Sequence, residues 1–538
     1  MSWRMGWVVA LLAAPPLAAQ ERVGEMDLPR SVAAEVIEFF NRATTTRFQG
    51  KAEVPPGSVI EGDVGVLSGP FTVAGVEAVG GQVSVYSERL RYRSGEGGIS
   101  QDEHPWTEWR ERHQQGNAYI SVRNEGNYNR VEGLPVMFGP VFRSEGEQFL
   151  RADVMAIWRS DSGVRLDSDE LGYFIRAEQH LGPGGRYSFG ATAHSMIAPI
   201  EDGGLTDTEA SLATFFLGRD YRDYYEREGF SAFLRFDDDE AGVRLTAEYR
   251  NEDHAFVPVG DPWPFKDDGK AWRPQPLVAE GRLRTVGGEL VVDDRNDRKD
   301  PSDGWYLAAS GTRGLDGELA LPGYYEGEPK PPSAAAPARA LDTDFIAGSM
   351  DLRRYARLGP GADLRLRGFL AGSLDGEPLP PQFQRALGGE GSLPGYPLLS
   401  VDCGARAHAY SVFVGEGGGA VRTPTYAGYG CDRVALFQAE YRGSVSFDWG
   451  FGGDDEGDES WGWAPTVSMD PSWSLFFDAG RGWSLAGEGS PAHLGPDSDT
   501  LMDVGVGFYI GDLGLYWAWP LHGEDRGSNF FLRLSHRF

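Results

Sequence analysis

Apolar and polar residues alternate along most of this chain with a period of two. In Asn529–Phe538 one face of an extended backbone carries Phe530, Leu532, Leu534 and Phe538, and the other carries Arg533, Ser535 and Arg537. Val243, Leu245, Ala247 and Tyr249 stand opposite Arg244, Thr246 and Glu248, and Leu364, Leu366 and Leu370 stand opposite Arg365 and Arg367. Val504, Val506, Phe508 and Ile510 alternate with Gly505, Gly507 and Tyr509. Successive side chains of a strand point to opposite faces, so each stretch predicts a strand with one apolar and one polar side. Such segments recur from about Gly116 to Phe538, separated by Gly, Asp, Asn and Pro clusters, and predict an all-β fold of about sixteen antiparallel strands.

The connections alternate as well. Gly511–Gly514, Leu358–Ala362, Asp237–Gly242 and Leu181–Gly185 are short, whereas about 484–500, 374–432, 315–343, 252–281 and 195–228 are long and acidic or Pro-rich. Phe447–Ser472, with its run Asp454-Asp455-Glu456, is long where a short turn is expected.

The first part of the chain reads differently. Arg4, the apolar run Trp7–Leu17 and Ala18-Ala19 predict an export signal over residues 1–19. Residues 20–93 predict a small unit, with a helix over Val32–Arg42 capped by Ser31 and carrying Val32, Val36, Phe39 and Phe40 on one face. It continues with a six-residue repeat, Leu67, Val73, Val79 and Val85 alongside Gly69, Gly75 and Gly81. That period suits a short β-solenoid or a strand-rich sandwich fragment. Residues 94–116 read as a linker and 117–538 as the strand-rich domain.

Composition narrows the class. With 50 Lys+Arg against 80 Asp+Glu the net charge is −30, which disfavours a nucleic-acid binder. The 74 glycines and 12% aromatics suit strands and turns. No stretch of 18 apolar residues follows Ala19, so a membrane crossing must use strands, and strands cross only as a closed barrel. A soluble sandwich would alternate in the same way. Export, aromatics near strand ends (Trp305, Tyr516, Trp517, Trp519) and a terminal aromatic strand favour a transmembrane antiparallel β-barrel. Its lumen is then expected to be lined by Arg176, Glu178, Arg244, Glu248, Arg365, Arg367, Arg533 and Arg537. The two cysteines, Cys403 and Cys431, predict a disulfide, since an exported pair this close lacks metal or redox spacing.

Several motifs, in order, resemble the BamA/TamA-type barrels of the bacterial surface antigen family. Phe476-Phe477-Asp478-Ala479-Gly480, then Trp483, resembles the family's F-x-D-x-G strand motif and falls on the thirteenth expected strand. Phe383, Leu387-Gly388-Gly389 and Leu393-Pro394-Gly395-Tyr396 resemble its large external loop, where a V-R-G-F/Y tetrad folds back into the barrel. Asp294-Arg295-Asn296-Asp297, with Pro301 and Gly304, resembles a turn that precedes a barrel strand, and Tyr128–Gly133 resembles the barrel entry. The final strand, with Phe530, Leu532, Leu534 and Phe538, resembles the signal by which such barrels are inserted.

The resemblance implies an outer-membrane barrel with its N-terminal unit in the periplasm. It implies a role in outer-membrane protein assembly, or in transport of polypeptide or lipid. Its partners would be outer-membrane lipid and unfolded outer-membrane proteins or a periplasmic protein. A passive pore or a structural surface protein is the alternative. Two departures stand out. Pro394 replaces the tetrad arginine that pairs with the strand acid, so Asp478 is expected to lose its partner, leaving the loop to be held by the cysteine pair. Residues 20–116 also fit poorly to the β-α-α-β-β POTRA unit of the family's assembly members.

No enzyme motif emerges. The nine histidines form no H-E-x-x-H or other zinc spacing, and no G-x-S-x-G, P-loop or G-x-G-x-x-G occurs. Asp237–Gly242 opens like a calcium loop, but Ala241 occupies a ligand position, which makes it a solvated turn. No cofactor or metal is expected.

Overall fold

A computed structural model of the chain describes most of 117–538. Its breaks are at 125–126, 145–147, 162–170, 183–184, 266–270, 327–334, 407–408, 415–420, 445–446, 450–466, 488–498, 511–512, 524–526 and a few single residues. Before 117 it describes only short pieces between 39 and 86, so the expected export signal, the 94–116 linker and most of the helix at 32–42 lie outside the described residues. The chain divides into two units, 1–107 and 108–538.

In the first unit, Thr45–Gln49, Asp63–Leu67 and Val83–Tyr86 form a parallel three-stranded sheet, and Ala52–Val54 pairs in parallel with Phe71–Val73. Thr45 faces Asp63, Val64 faces Val83 and Ala52 faces Phe71, so partners are eighteen or nineteen residues apart. That offset is about three of the six-residue repeats read in the sequence.

The second unit is a closed antiparallel barrel. Its strands are β1 (Asn117–Asn124), β2 (Pro135–Arg143), β3 (Leu150–Arg159), β4 (Gly172–Leu181), β5 (Tyr187–Pro199), β6 (Tyr224–Asp238), β7 (Val243–Ala255) and β8 (Glu280–Asp293). The circuit continues through β9 (Gly304–Leu321), β10 (Ile346–Gly359), β11 (Ala362–Ser373), β12 (Arg433–Ser444), β13 (Ser472–Trp483), β14 (Leu501–Ile510), β15 (Leu513–Pro520) and β16 (Asn529–Arg533). Each strand pairs with the next in sequence, and β16 closes on β1. The strands at this closure are short: β1 has 8 residues and β16 has 5, against 18 in β9.

The barrel has the inverse of a soluble core. Ile120, Val122, Phe189, Phe230, Leu234, Leu245, Phe437, Phe508, Phe530 and Leu532 are exposed on the outer face, while Glu178, Glu252, Arg365, Arg367, Glu440, Asp478, Asp503 and Arg533 are buried. An apolar surface recurring on strands all round a closed sheet is stable only against hydrocarbon, so the fold is a transmembrane barrel. Among the described residues no helix is long and apolar enough to cross a membrane. The connections at one end are short, as at 239–242 and 360–361, and those at the other are long, as at 200–223, 256–279, 322–345 and 374–432.

Three expectations change. Strand pairing ends at Arg533 rather than Phe538, and Leu534 and Phe538 line the inner chamber instead of facing out with Phe530 and Leu532. Tyr516 does not belong to an outer aromatic girdle: it is fully buried inside, stacked on Phe531 at 4.8 Å. Tyr128–Gly133 does not enter the barrel but connects its first two strands.

Phe230→Arg, near the middle of the outer face of β6, is expected to cost about 2–4 kcal/mol of stability in lipid vesicles. Urea unfolding of the reconstituted protein measures it, and an unchanged midpoint would remove the lipid-facing assignment of that strand.

Candidate functional site

The site is built where the long connection 374–432 folds back onto the inner wall of the barrel. Strand register aligns one inward row across the sheet, in which Asp293 faces Tyr306, Tyr306 faces Arg353, Arg353 faces Arg367 and Arg367 faces Gln438. From there Gln438 faces Asp478 and Asp478 faces Asp503. The row runs from two guanidinium groups on β10 and β11 to two carboxylates on β13 and β14. Asp351 neutralises the basic end, accepting from Arg353 at 2.7 Å and from Arg367 at 2.9 Å.

The loop is seated on the acidic end of this row. Gln438 receives the Arg367 guanidinium on Oε1 at 3.0 Å and donates from Nε2 to Asp478 at 3.1 Å and to the Ser392 carbonyl at 2.9 Å. The Gly395 amide donates to Asp503 Oδ2 at 2.7 Å. The Pro394 carbonyl accepts from Asn529 Nδ2 at 3.1 Å, which ties the loop to β16. The Tyr396 hydroxyl lies 2.9 Å from the Met502 carbonyl and 3.1 Å from that of His522, and it accepts from both their amides at 3.3 Å.

Beneath these polar contacts, Leu387, Leu393, Tyr396, Val401, Cys403, Cys431, Val434 and Leu436 form one apolar cluster. Cys403 and Cys431 are bonded within it and pin the far end of the loop. The glycines make close approach possible. A Cβ on Gly480 would lie 2.9 Å from the end of the Leu393 side chain, and one on Gly395 would lie 2.6 Å from Asp503 Cβ and 3.0 Å from the Pro520 backbone nitrogen.

Asp478 has a cation after all. With Pro394 in the tetrad, the partner comes from the tail after β16: the Arg537 guanidinium binds Asp478 and lies 3.8 Å over the Phe476 ring. The disulfide therefore does not hold the loop alone. Sequence pattern hid this pairing because the alternation of the last strand assigns Arg537 to the inner face of a continuing strand. One signal was available: His536 occupies a position where an outward apolar residue was due. The expected lumen residues Glu178, Arg365, Arg367, Arg533 and Arg537 are indeed buried, whereas Arg244 is half exposed beside Asp237.

A second network closes the end with the long connections. Gln275–Pro276, Val421–Tyr426, Ala409–Val414, Tyr324–Glu326 and Ala335–Ala336, from three different connections, form one five-stranded sheet. Arg130, fully buried, donates to the Arg273 carbonyl at 2.9 Å and to Gln275 Oε1 at 2.8 Å, and pairs with Asp220 and Asp223. Arg273 and Arg406 also bind Asp223. Burial by itself pushes the Asp223 carboxyl up, but Arg273, Arg406 and Arg130 outweigh it and hold it well below the usual carboxylate range. Four connections are thus fastened through one ionised side chain. A chamber of about 980 Å³ is lined by the 200–223 connection, the β8–β9 turn, the infolded loop and the tail, and its walls include Arg222, Arg295, Arg353, Arg385, Arg533 and Arg537. Among the described residues no group of three or more His, Cys, Asp or Glu could hold a metal ion.

These features define the class: a transmembrane β-barrel whose bore is crossed by its own loop. No family model matches the chain, and no curated protein matches it. Among solved structures it is similar to BamA from Haemophilus ducreyi lacking POTRA domains 1–3, at 13% identity over 86% of this chain and 73% of that one, with a TM-score of 0.42. It is also similar to CdiB from Acinetobacter baumannii, at 13% identity over 79% of this chain and 60% of that one, with a TM-score of 0.29.

Gly395→Ala meets backbone and a strand carbon, whereas Gly480→Ala meets only the movable side chains of Leu393 and Leu387. Gly395→Ala is therefore expected to cost about 1–3 kcal/mol and Gly480→Ala less, by thermal unfolding in detergent. The reverse order would contradict the seating of the loop. Asp223→Asn strands three guanidinium groups in the cap and is expected to cost about 3–5 kcal/mol. Because the Asp223 pKa is depressed, its contribution is present above the ordinary carboxylate pKa of about 4 and is lost only as pH falls through the lower folded value. Protease resistance of the connections should therefore survive acidification to pH 5 in the wild type and be lost at pH 7 in the variant.

Proposed function

We propose that this chain resides in the outer membrane with its N-terminal unit in the periplasm. There it assists the insertion or movement of polypeptide, working through its wall rather than its bore. The observation that carries this reading is the network around the closure. The loop tetrad touches β16 through Asn529, the motif strand β13 through Leu393 and Gly480, and β14 through Asp503. It thereby bears on the part of the wall where the ladder is shortest.

Strand separation costs hydrogen bonds that hydrocarbon cannot replace, so the wall parts most cheaply where fewest must break. An edge freed there presents unpaired amides and carbonyls to an incoming extended chain, which adds to it as a strand. The short connections face the periplasm in this reading, and the long ones form the outer cap. Unfolded outer-membrane proteins are the partners that suit such an edge; the surrounding lipid receives the product. A passive bore fits less well, because loop and cap both lie across the lumen.

The test is the folding rate of a separate, unfolded barrel protein added to liposomes that contain this protein or its Asp478→Ala variant. Acceleration by the wild type, reduced about tenfold in the variant, is expected, equivalent to about 1.4 kcal/mol on the barrier. No acceleration by the wild type would overturn the reading in favour of a structural or pore-forming barrel.

A further inference from the structure

After β16 the chain turns inward and is fastened at three places. At the first, Glu209 of helix α1 (Asp207–Leu217) collects the end of the strand: it accepts from Arg533 Nε at 2.9 Å, from the Leu534 amide at 2.7 Å and from Ser535 Oγ at 3.1 Å. The same carboxylate closes the capping box of its own helix with Thr206, so its position is set by the helix and not by the tail. At the second, His536 Nε2 lies 3.1 Å from Asp300 in the turn between β8 and β9, while its Nδ1 accepts from Arg442 at 3.3 Å. At the third, Arg537 binds Asp478 over the Phe476 ring, with Glu440 3.9 Å from Nη1.

Arg537 is only 4% exposed. A guanidinium is carried so far from water only where carboxylates repay its lost hydration. Its partner Asp478 is in register with Asp503, and both are buried, so two carboxylates face each other across β13 and β14. Arg537 is the cation that lets them share that wall, and Asp503 is the acceptor of the Gly395 amide. Gln438 links Asp478 to Ser392 in the same way. Tail and loop therefore bind the same row of side chains from two directions.

We propose that Leu534–Phe538 is an internal latch, and that Arg537 is the positioning residue through which the end of β16 and the infolded loop hold each other in place. Release of the last strand and release of the loop are then one event. The latch rests on the geometry of the barrel alone and can fail or stand separately from the assembly reading, because its test needs no client protein.

The test is amide hydrogen exchange of the refolded, full-length protein in detergent, followed over residues 392–396. In Arg537→Gln, exchange over this segment is expected to rise about tenfold, within the range of coupling between residues of one network. Arg537→Lys keeps the charge but not the planar contact with Phe476, and should give about a threefold rise. It also carries the test if the glutamine variant does not fold. Asp478→Asn combined with Arg537→Gln should exchange no faster than the faster single variant. Unchanged exchange over 392–396 in Arg537→Gln or Arg537→Lys, or effects of the two single changes that multiply, would overturn the latch. Glu209→Gln loosens the first fastening and leaves the other two intact. It should raise exchange at 529–535 and, through the latch, at 392–396, and a rise confined to 529–535 would also overturn it.

Discussion

A sheet in hydrocarbon must close on itself, because its edge amides and carbonyls have no water to bind. Closure turns the apolar side of every strand outward and commits the polar side to the lumen. Once a loop enters the lumen, those polar side chains lose their own water and must be paired. Much of this structure answers that demand. The row from Arg353 to Asp503, the cap around Asp223 and the inward turn of the tail are three ways of matching buried charge with buried charge.

The matching explains why distant parts of the chain meet. Asp478 needs a cation and Pro394 cannot supply one, so the cation comes from Arg537, 59 residues away. Asp223 gathers guanidinium groups from connections separated by as many as 183 residues. Each contact is local, but together they tie loop, cap and last strand to the same wall. The end of β16, next to the closure on β1, is thus anchored to the lumen through Arg533 and Arg537.

Much of the architecture was legible in the sequence. Strand alternation gave the barrel, its number of strands and the alternation of short turns with long connections, because a period of two is imposed directly by lipid on one side and water on the other. The motif around Asp478 falls on the thirteenth strand, and the loop carrying Leu393–Tyr396 packs against the inner wall. The pairings within the lumen were not legible. Periodicity assigns a residue to a face and says nothing about which inward residues on non-adjacent strands will meet, so Arg537 was placed inside without its partner. Tyr516 was misplaced through neglect of the same rule: it alternates with Trp517 and Trp519 and had to face the other way. The break at His536 was the one local sign that the last strand stops early. Arg130 lay within a stretch read as a barrel entry, and its role as the centre of the cap depends on loop folding that no local pattern encodes.

The central claim is that the bore is crossed by the chain itself. Current across a planar lipid bilayer holding the purified protein tests this most directly. The account predicts no steady ohmic conductance from the wild type at moderate voltage and neutral pH. A persistent open channel in that unaltered protein would contradict it, because loop and cap could not then lie across the lumen as described.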